Sequence, residues 1–482
     1  MLLRLSKNAF VRQYGPFTYI VERIRNFDQV YRDAEVFMRW ITRVAAPIEK
    51  IISNICNAFP EIPCAQIEND FWEFMSPLMT AKVVVLGETE AEIQSKEESF
   101  SYDVADPKTF NLGNDEVAHG DEQLITQNVL DEYFAKHPRL YSLHVDLTRS
   151  CNERCVHCYI PEHKNIFLEF GKVKEVIDEF AVMGGLTISF SGGECMLHPN
   201  FEEIVRYARK RDLIISVLSN LTLCDNKIAR LLQEVEATVQ VSLYSMKAET
   251  HDEITKIRGS FFKTKGAIEM LRECNVPCLI SCPTMKSNFR DYLDVLNFAR
   301  SLKMDAQTDM VIMGKMNCDT SNLGCRLNID QTRQVLEDIV FRSVPVNNET
   351  FNPKKKSLML TDAQWSDAKV CGACVDCICL DATGDYYPCP GFAGVQLGNC
   401  YKNSLSWVWN ESSETIRIRG VTGKDFPKCV HCENRNFCTA CMCRNYNETG
   451  DIFTPAAHFC EVARIGREVV EKSWSLRTDQ NS

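Results

Sequence analysis

The chain reads as an α/β protein built on a partial barrel of six βα units, with a smaller module on either side. Apolar runs at 140–148, 186–192, 213–219, 238–244, 277–285 and 305–313 alternate with amphipathic stretches such as Phe201 to Lys210, Phe261 to Cys274 and Tyr292 to Leu302. Strands alternating with helices argue for a parallel sheet. The segments richest in candidate chemistry fall just past the C-termini of these strands, the face on which barrel enzymes place their sites. A length of 482 residues suits roughly three domains. The pattern divides the chain into 1–88, 89–138, 139–345 and 346–482.

The first segment begins with a hairpin around Gly15-Pro16, from Ala9 to Tyr14 and from Phe17 to Ile24, with a third strand over Asp28 to Tyr31. Helical patterns follow at Ala34 to Arg43, Pro47 to Phe59 and Ile67 to Met79, with Pro47 suited to a first helical turn. The start of the chain, Met1 to Phe10, lacks the long apolar region of a signal peptide. No run approaches the ~20 apolar residues needed to span a bilayer. The 24 cysteines are therefore expected to be metal ligands in a reducing cytoplasm rather than disulfides.

The net charge of −11 is concentrated between Glu88 and Glu132, where 13 acidic residues face two lysines. With few apolar anchors, and with Pro107, Gly113 and Gly120, this stretch reads as a solvated linker over 89–138. No basic patch interleaved with aromatics is present, so nucleic-acid binding is disfavoured.

At the end of the run from Tyr141 to Thr148 stand Cys151, Cys155 and Cys158. Three closely spaced thiolates suit a four-iron cluster with one iron left open for a small molecule. The alternative is a structural zinc knuckle closed by His157, His163 or a distant cysteine. One βα unit later the run from Leu186 ends in Gly192-Gly193-Glu194, where two glycines allow close backbone approach and a carboxylate can hold an ammonium.

In that order and separation, the triplet and the Gly-Gly-Glu segment resemble the radical S-adenosylmethionine (SAM) superfamily. Cys195 stands where relatives often carry proline. The resemblance implies that the open iron chelates the amino and carboxylate groups of SAM, with Gly192, Gly193 and Glu194 securing the amino group. It also implies a ribose-binding role for Ser219 and Asn220, and carboxylate contacts from Ser242 and Arg258.

The C-terminal segment reads Cys371-x12-Gly384-x4-Cys389, then Cys429-x2-Cys432-x5-Cys438-x2-Cys441, then Cys460. This order resembles the SPASM auxiliary-cluster domain, although the last interval is often x3 there, which leaves Cys443 as a rival to Cys441. The resemblance implies one four-iron cluster on Cys429, Cys432, Cys438 and Cys460. A second would rest on Cys371, Cys389 and Cys441, with Cys377 as fourth ligand and Cys374, Cys379 and Cys400 as competitors, or with an open iron. Cys56, Cys64, Cys224, Cys274, Cys278, Cys282, Cys318 and Cys325 read as small core or surface residues.

Three strands followed by three helices ahead of such a core resemble the RiPP recognition element, the winged-helix-like domain that binds leader peptides of ribosomally made, post-translationally modified peptides. A leader would add as a strand to the edge of its sheet. The three-part resemblance implies a cytoplasmic peptide maturase, most like the thioether-forming sactipeptide and ranthipeptide enzymes and, within these, the freyrasin type. It would join a Cys thiol of a precursor peptide to an acceptor carbon through a 5′-deoxyadenosyl radical. It would use SAM, three four-iron clusters and an external reductant such as flavodoxin or ferredoxin. The rival readings are a carbon–carbon crosslinking maturase, an anaerobic sulfatase-type maturase, an iron–sulfur electron carrier and a zinc-stabilised binding protein.

Overall fold

The computed structural model describes residues 1–103, 120–343, 360–438 and 440–479. The chain divides into two compact units, one formed by residues 1–105 and 117–137 and the other by the remainder.

In the first unit, β1 (Leu2–Leu5), β2 (Ala9–Tyr14), β3 (Phe17–Glu22), β4 (Phe27–Arg32), β5 (Ala46–Pro47) and β6 (Val84–Gly87) form two small sheets, ordered β5-β1-β6 and β2-β3-β4. The expected hairpin and third strand are present. Their register runs from Ala9 opposite Glu22 to Tyr14 opposite Phe17. Helices Ile48–Ala58 and Cys64–Thr80 bury Ile51, Ile55, Phe71, Met75 and Leu78 against Leu3, Leu5 and Ile20. The helix expected over Ala34 to Arg43 is a single turn, Glu35–Met38.

Two sequence expectations fail in this unit. The stretch 89–138 is not only a tether, because helix Glu90–Lys96 and helix Gly120–Lys136 both fold within it. Leu130 and Phe134, one helical turn apart, are buried, and Phe134 meets Tyr14 edge-on at 5.1 Å. Tyr133 packs on Phe17 at 5.3 Å and fills the space above Gly15, where a Cβ would lie 1.9 Å from its hydroxyl. Acidic composition hid these apolar anchors. Cys56 and Cys64, read as small core or surface residues in a chain whose cysteines are expected not to form disulfides, are joined by one across the turn between two helices. They stand eight positions apart in sequence, and the helix ends bring them to a Cα separation of 5.4 Å.

The second unit contains a nine-stranded sheet. Its strands are β7 (Ser142–Thr148), β8 (Thr187–Gly192), β9 (Ile214–Ser219), β10 (Thr238–Ser242), β11 (Cys278–Pro283), β12 (Asp305–Asp309), β13 (Cys377–Leu380), β14 (Asp385–Tyr387) and β15 (Gly398–Asn399). Strands β7 to β12 are all parallel, in the order β12-β11-β10-β9-β8-β7. Each apolar run predicted from sequence contains one of them. Helices Phe170–Val182, Phe201–Lys210, Asn226–Glu234, Ser260–Glu273 and Tyr292–Ser301 connect them, giving a mixed α/β partial barrel.

The sheet does not stop at the expected boundary near residue 345. β13 adds to β7 in parallel, with Cys379 opposite His144, and β14 and β15 continue antiparallel. Helix Ile329–Ser343 is tied to the C-terminal helix Ala457–Asp479 by the ion pairs Arg333–Glu468 and Lys472–Glu337. The C-terminal segment is thus built onto the barrel sheet. Among the described residues, no helix is long and apolar enough to cross a membrane.

Candidate active site

The end of β7 delivers the chain into a loop carrying Cys151, Cys155 and Cys158. This loop is anchored on both sides by backbone. Arg154 N and Val156 N donate to the carbonyls of Thr255 and Ile254 at 2.9 and 3.0 Å, and Cys158 N closes a turn on Cys155 O at 3.1 Å. On the other flank, Gly193 N donates to Thr148 O at 2.7 Å and Glu194 N to Ser150 O at 2.8 Å.

Those last two bonds explain the glycines. Gly192 sits at φ +130°, and a Cβ there would be 2.3 Å from Thr148 O. At Gly193 a Cβ would be 2.1 Å from Ser150 O and 3.0 Å from Cys151 Cβ. The sequence suggested backbone approach to a ligand; in the structure, the glycines admit the backbone of the cysteine loop itself.

Glu194 is buried, and its carboxylate is claimed from within. Ser219 Oγ donates to Oε1 at 2.8 Å, Met196 N to Oε1 at 3.0 Å and Asn220 N to Oε2 at 2.8 Å. Burial nevertheless raises its carboxyl above the ordinary carboxylate range. The structure therefore brings together five predicted residues, Gly192, Gly193, Glu194, Ser219 and Asn220, at the ends of β8 and β9. The Asn220 side chain donates to Asn152 Oδ1 at 2.8 Å, and Asn152 donates to Thr222 Oγ1 at 2.6 Å, joining the β9 end to the cysteine loop. Ser242 lies at the end of β10 and hydrogen-bonds Tyr244. Arg258 is exposed in the turn before helix Ser260–Glu273, outside this network.

Three residues around the triplet, Tyr244, Asn322 and Glu153, escaped the sequence reading, which names His157 as a zinc-knuckle candidate. Tyr244, fully buried, donates to Cys155 Sγ at 3.8 Å and lies 3.5 Å from His157 Nε2. His157 is held near pKa 4 by burial. Asn322 donates to the carbonyl of His157 at 3.1 Å and of Met313 at 3.0 Å. Glu153, between the first two cysteines, is pushed up to about 7 by burial, and its Oε1 has no partner among the described residues. Their spacing carries no motif. Only burial distinguishes them.

Burial also raises the triplet thiols, Cys151 to about 12 and Cys155 well above the ordinary thiol range, with the neighbouring carboxylates and the other triplet thiols adding to the shift. Cys158 is raised as well. Such thiols ionise when a cation is among them. Three neighbouring thiols on a backbone-anchored loop therefore fit an iron–sulfur cluster. His157 turns Nε2 toward Tyr244, while its Nδ1 has no hydrogen-bond partner among the described residues.

The C-terminal thiols form two further groups. Cys429, Cys432, Cys438 and Cys460, with Cys441, line one pocket beside Phe459 and Arg444. Cys389 shares a hydrogen bond with Cys443, and Cys441 and Cys371 lie close enough to raise its thiol further. Cys441 therefore stands between the groups, and the buried Cys443 belongs to the second. Cys377 lies beside Cys371 and Cys374, and burial with the Asp376 charge raises its thiol. Cys400 neighbours Lys172 and Asp385. Cys379, a competitor for the auxiliary set, instead meets His144 and Asp146, with one donor atom from each within 4.8 Å of the others.

Residues 145–311 match the Radical SAM superfamily model. An AdoMet-dependent heme synthase of Methanosarcina barkeri is 26% identical over 331 residues, covering 65% of this chain and 94% of that protein. The antilisterial bacteriocin subtilosin biosynthesis protein AlbA of Bacillus subtilis is 24% identical, covering 63% of this chain and 67% of AlbA. Among solved structures, Streptococcus suis SuiB bound to precursor peptide SuiA superposes with a TM-score of 0.61 at 14% identity, over 93% of this chain and 97% of SuiB. The anchored cysteine loop and the Gly-Gly-Glu turn that seats it thus lie in a radical SAM domain, and the chain has a radical SAM fold with a bacteriocin biosynthesis protein among its relatives.

Proposed function

We propose that this chain is a cytoplasmic maturase that installs thioether crosslinks between Cys thiols and acceptor carbons of a ribosomally made precursor peptide. The observation that carries this reading is the pairing of β13 with β7, by which one sheet supports both the Cys151 loop and the thiols around Cys371 and Cys389. A crosslinking oxidation needs a radical source and an electron acceptor at fixed separation, and a shared sheet supplies that rigidity. The bacteriocin-biosynthesis name of AlbA and the precursor peptide bound to SuiB support a peptide substrate.

When bound, SAM and its four-iron cluster would supply a 5′-deoxyadenosyl radical that takes hydrogen from a substrate carbon. The residues of the chain do the rest. Cys151, Cys155 and Cys158 hold the cluster, and Gly192 and Gly193 let the loop that carries them sit against β8. Glu194 locks the β8 and β9 ends through Ser219 and Asn220, so that backbone groups of this turn and the Asn220 side chain are fixed for SAM. Ser242 and Arg258 would meet the SAM carboxylate, Arg258 from the exposed turn above the barrel. Cys429, Cys432, Cys438 and Cys460 would hold one auxiliary cluster. Cys371, Cys377, Cys389 and Cys441 would hold the other, with Cys443 as the rival to Cys441. The first unit would bind the leader, and a flavodoxin or ferredoxin would deliver the electron.

The test is Cys389→Ala. This variant should still form 5′-deoxyadenosine, measured by liquid chromatography, while the peptide no longer loses two hydrogens per link in mass spectrometry. Crosslinking at the wild-type rate by a folded variant would remove the auxiliary cluster from the reaction. Fragmentation of the wild-type product separates a thioether from a carbon–carbon link of equal mass. A second reading follows from the heme-synthase relatives, which match with comparable coverage. Oxidation of an added iron porphyrin with no change in the peptide would favour it.

A further inference from the structure

One cluster of ligating side chains lies outside the sets described above. His144 and Asp146 project from the same face of β7, opposite to Leu143, Val145 and Leu147, which are fully buried in the hydrophobic core. Cys379 stands directly across from His144 in the β7–β13 register. One donor atom from each of the three residues lies within 4.8 Å of the others, and His144 Nε2 is 3.0 Å from Asp146 Oδ1. Nitrogen, carboxylate oxygen and thiolate on rigid strands suit zinc, whose bonds of about 2.0–2.3 Å separate neighbouring tetrahedral ligands by about 3.3–3.8 Å. A small opening of the His144–Asp146 pair reaches that spacing.

The position of the cluster is as informative as its composition. Tyr159, partly buried, lies within electrostatic reach of Asp146 and Cys379 and also of Cys158 and Cys443. Cys379 is itself close to Cys443. The three donors thus have neighbours in common with both the loop that would generate the radical and the thiols that would accept the electron. Three protein ligands leave a zinc ion one open position, the pattern of catalytic rather than structural sites.

We infer that His144, Asp146 and Cys379 bind one zinc ion, and that its fourth position takes the thiolate of the precursor cysteine to be crosslinked. The peptide S–H bond breaks, sulfur bonds to the metal and the proton leaves to solvent; no electron moves in this step. The metal site stands on the three residues alone, whereas the thiolate role rests on the proposed thioether reading.

Zinc and iron are measured in the reconstituted full chain by mass spectrometry, and zinc coordination by X-ray absorption at the zinc edge, which iron does not obscure. The expected result is one zinc per chain with a single sulfur at about 2.3 Å and nitrogen or oxygen at about 2.0–2.1 Å. Adding the cysteine-containing precursor should raise the sulfur count to two, while its Cys→Ser analogue should not. Cys379→Ser, His144→Ala and the milder Asp146→Asn should each lower zinc at least tenfold at unchanged iron content, which also reports that the variants fold. Zinc retained in all three, or coordinated by four sulfurs, overturns the site. One sulfur that stays one with peptide overturns the thiolate role. An unchanged peptide in the crosslinking assay would refute the proposed function while leaving the zinc result to be judged alone.

Discussion

Gly193→Ala tests the tie between the Gly-Gly-Glu turn and the cysteine loop most directly. The new Cβ would lie 2.1 Å from Ser150 O and 2.6 Å from Ser150 C, against about 3.4 Å for ordinary contact. Both obstacles are backbone and cannot rotate away, so the loop must retreat by more than an ångström. That movement breaks the bonds Gly193 N to Thr148 O and Glu194 N to Ser150 O, worth about 1 kcal/mol each. Overpacking adds about 1–3 kcal/mol. The seated loop is then disfavoured by about 3–5 kcal/mol, or roughly two to nearly four orders of magnitude in population. The assay is iron and sulfide content after anaerobic reconstitution, where three four-iron clusters give about twelve irons per chain. Gly193→Ala should lose about four of these and its reductive SAM cleavage, matching a variant with Cys151, Cys155 and Cys158 all changed to Ala. Full iron content with wild-type 5′-deoxyadenosine formation would refute the reasoning.

Glu22 offers a pH test in the first unit. Burial raises its carboxyl from 4.5 to about 7, so the unfolded chain ionises it first, and its contribution to stability is lost as pH rises from about 4.5 to about 7, by up to about 3 kcal/mol. Glu22→Gln should therefore melt higher than wild type at pH 8 and alike at pH 4; parallel melting curves at both pH values would contradict the burial argument. Deleting residues 1–137, rather than 1–88, should weaken precursor binding at least tenfold by fluorescence anisotropy while sparing uncoupled SAM cleavage. The later boundary is needed because Leu130, Tyr133 and Phe134 belong to the first unit, and equal affinity in the truncated chain would count against leader recognition there.

The sequence by itself determined the elements whose signal is local. The six parallel strands follow from apolar runs of strand length, and helix Phe201–Lys210 occupies the range its periodicity implied. The Cys151 triplet, the Gly-Gly-Glu turn and the ordered C-terminal cysteines are legible because their chemistry needs fixed residue types at fixed spacing. Tertiary structure decided everything that depends on distant segments meeting. The acidic stretch hides Leu130 and Phe134, since a net charge averages over a helix whose two faces differ. Cys56 and Cys64 pair because two helix ends approach each other. The glycines face the cysteine loop rather than open space, and Tyr244, Asn322 and Cys379 acquire partners 89, 165 and 235 positions away. A chain spells out local periodicity, but the register of β13 on β7 is fixed only when both strands compete for burial on one sheet. That register is what brings His144, Asp146 and Cys379 together.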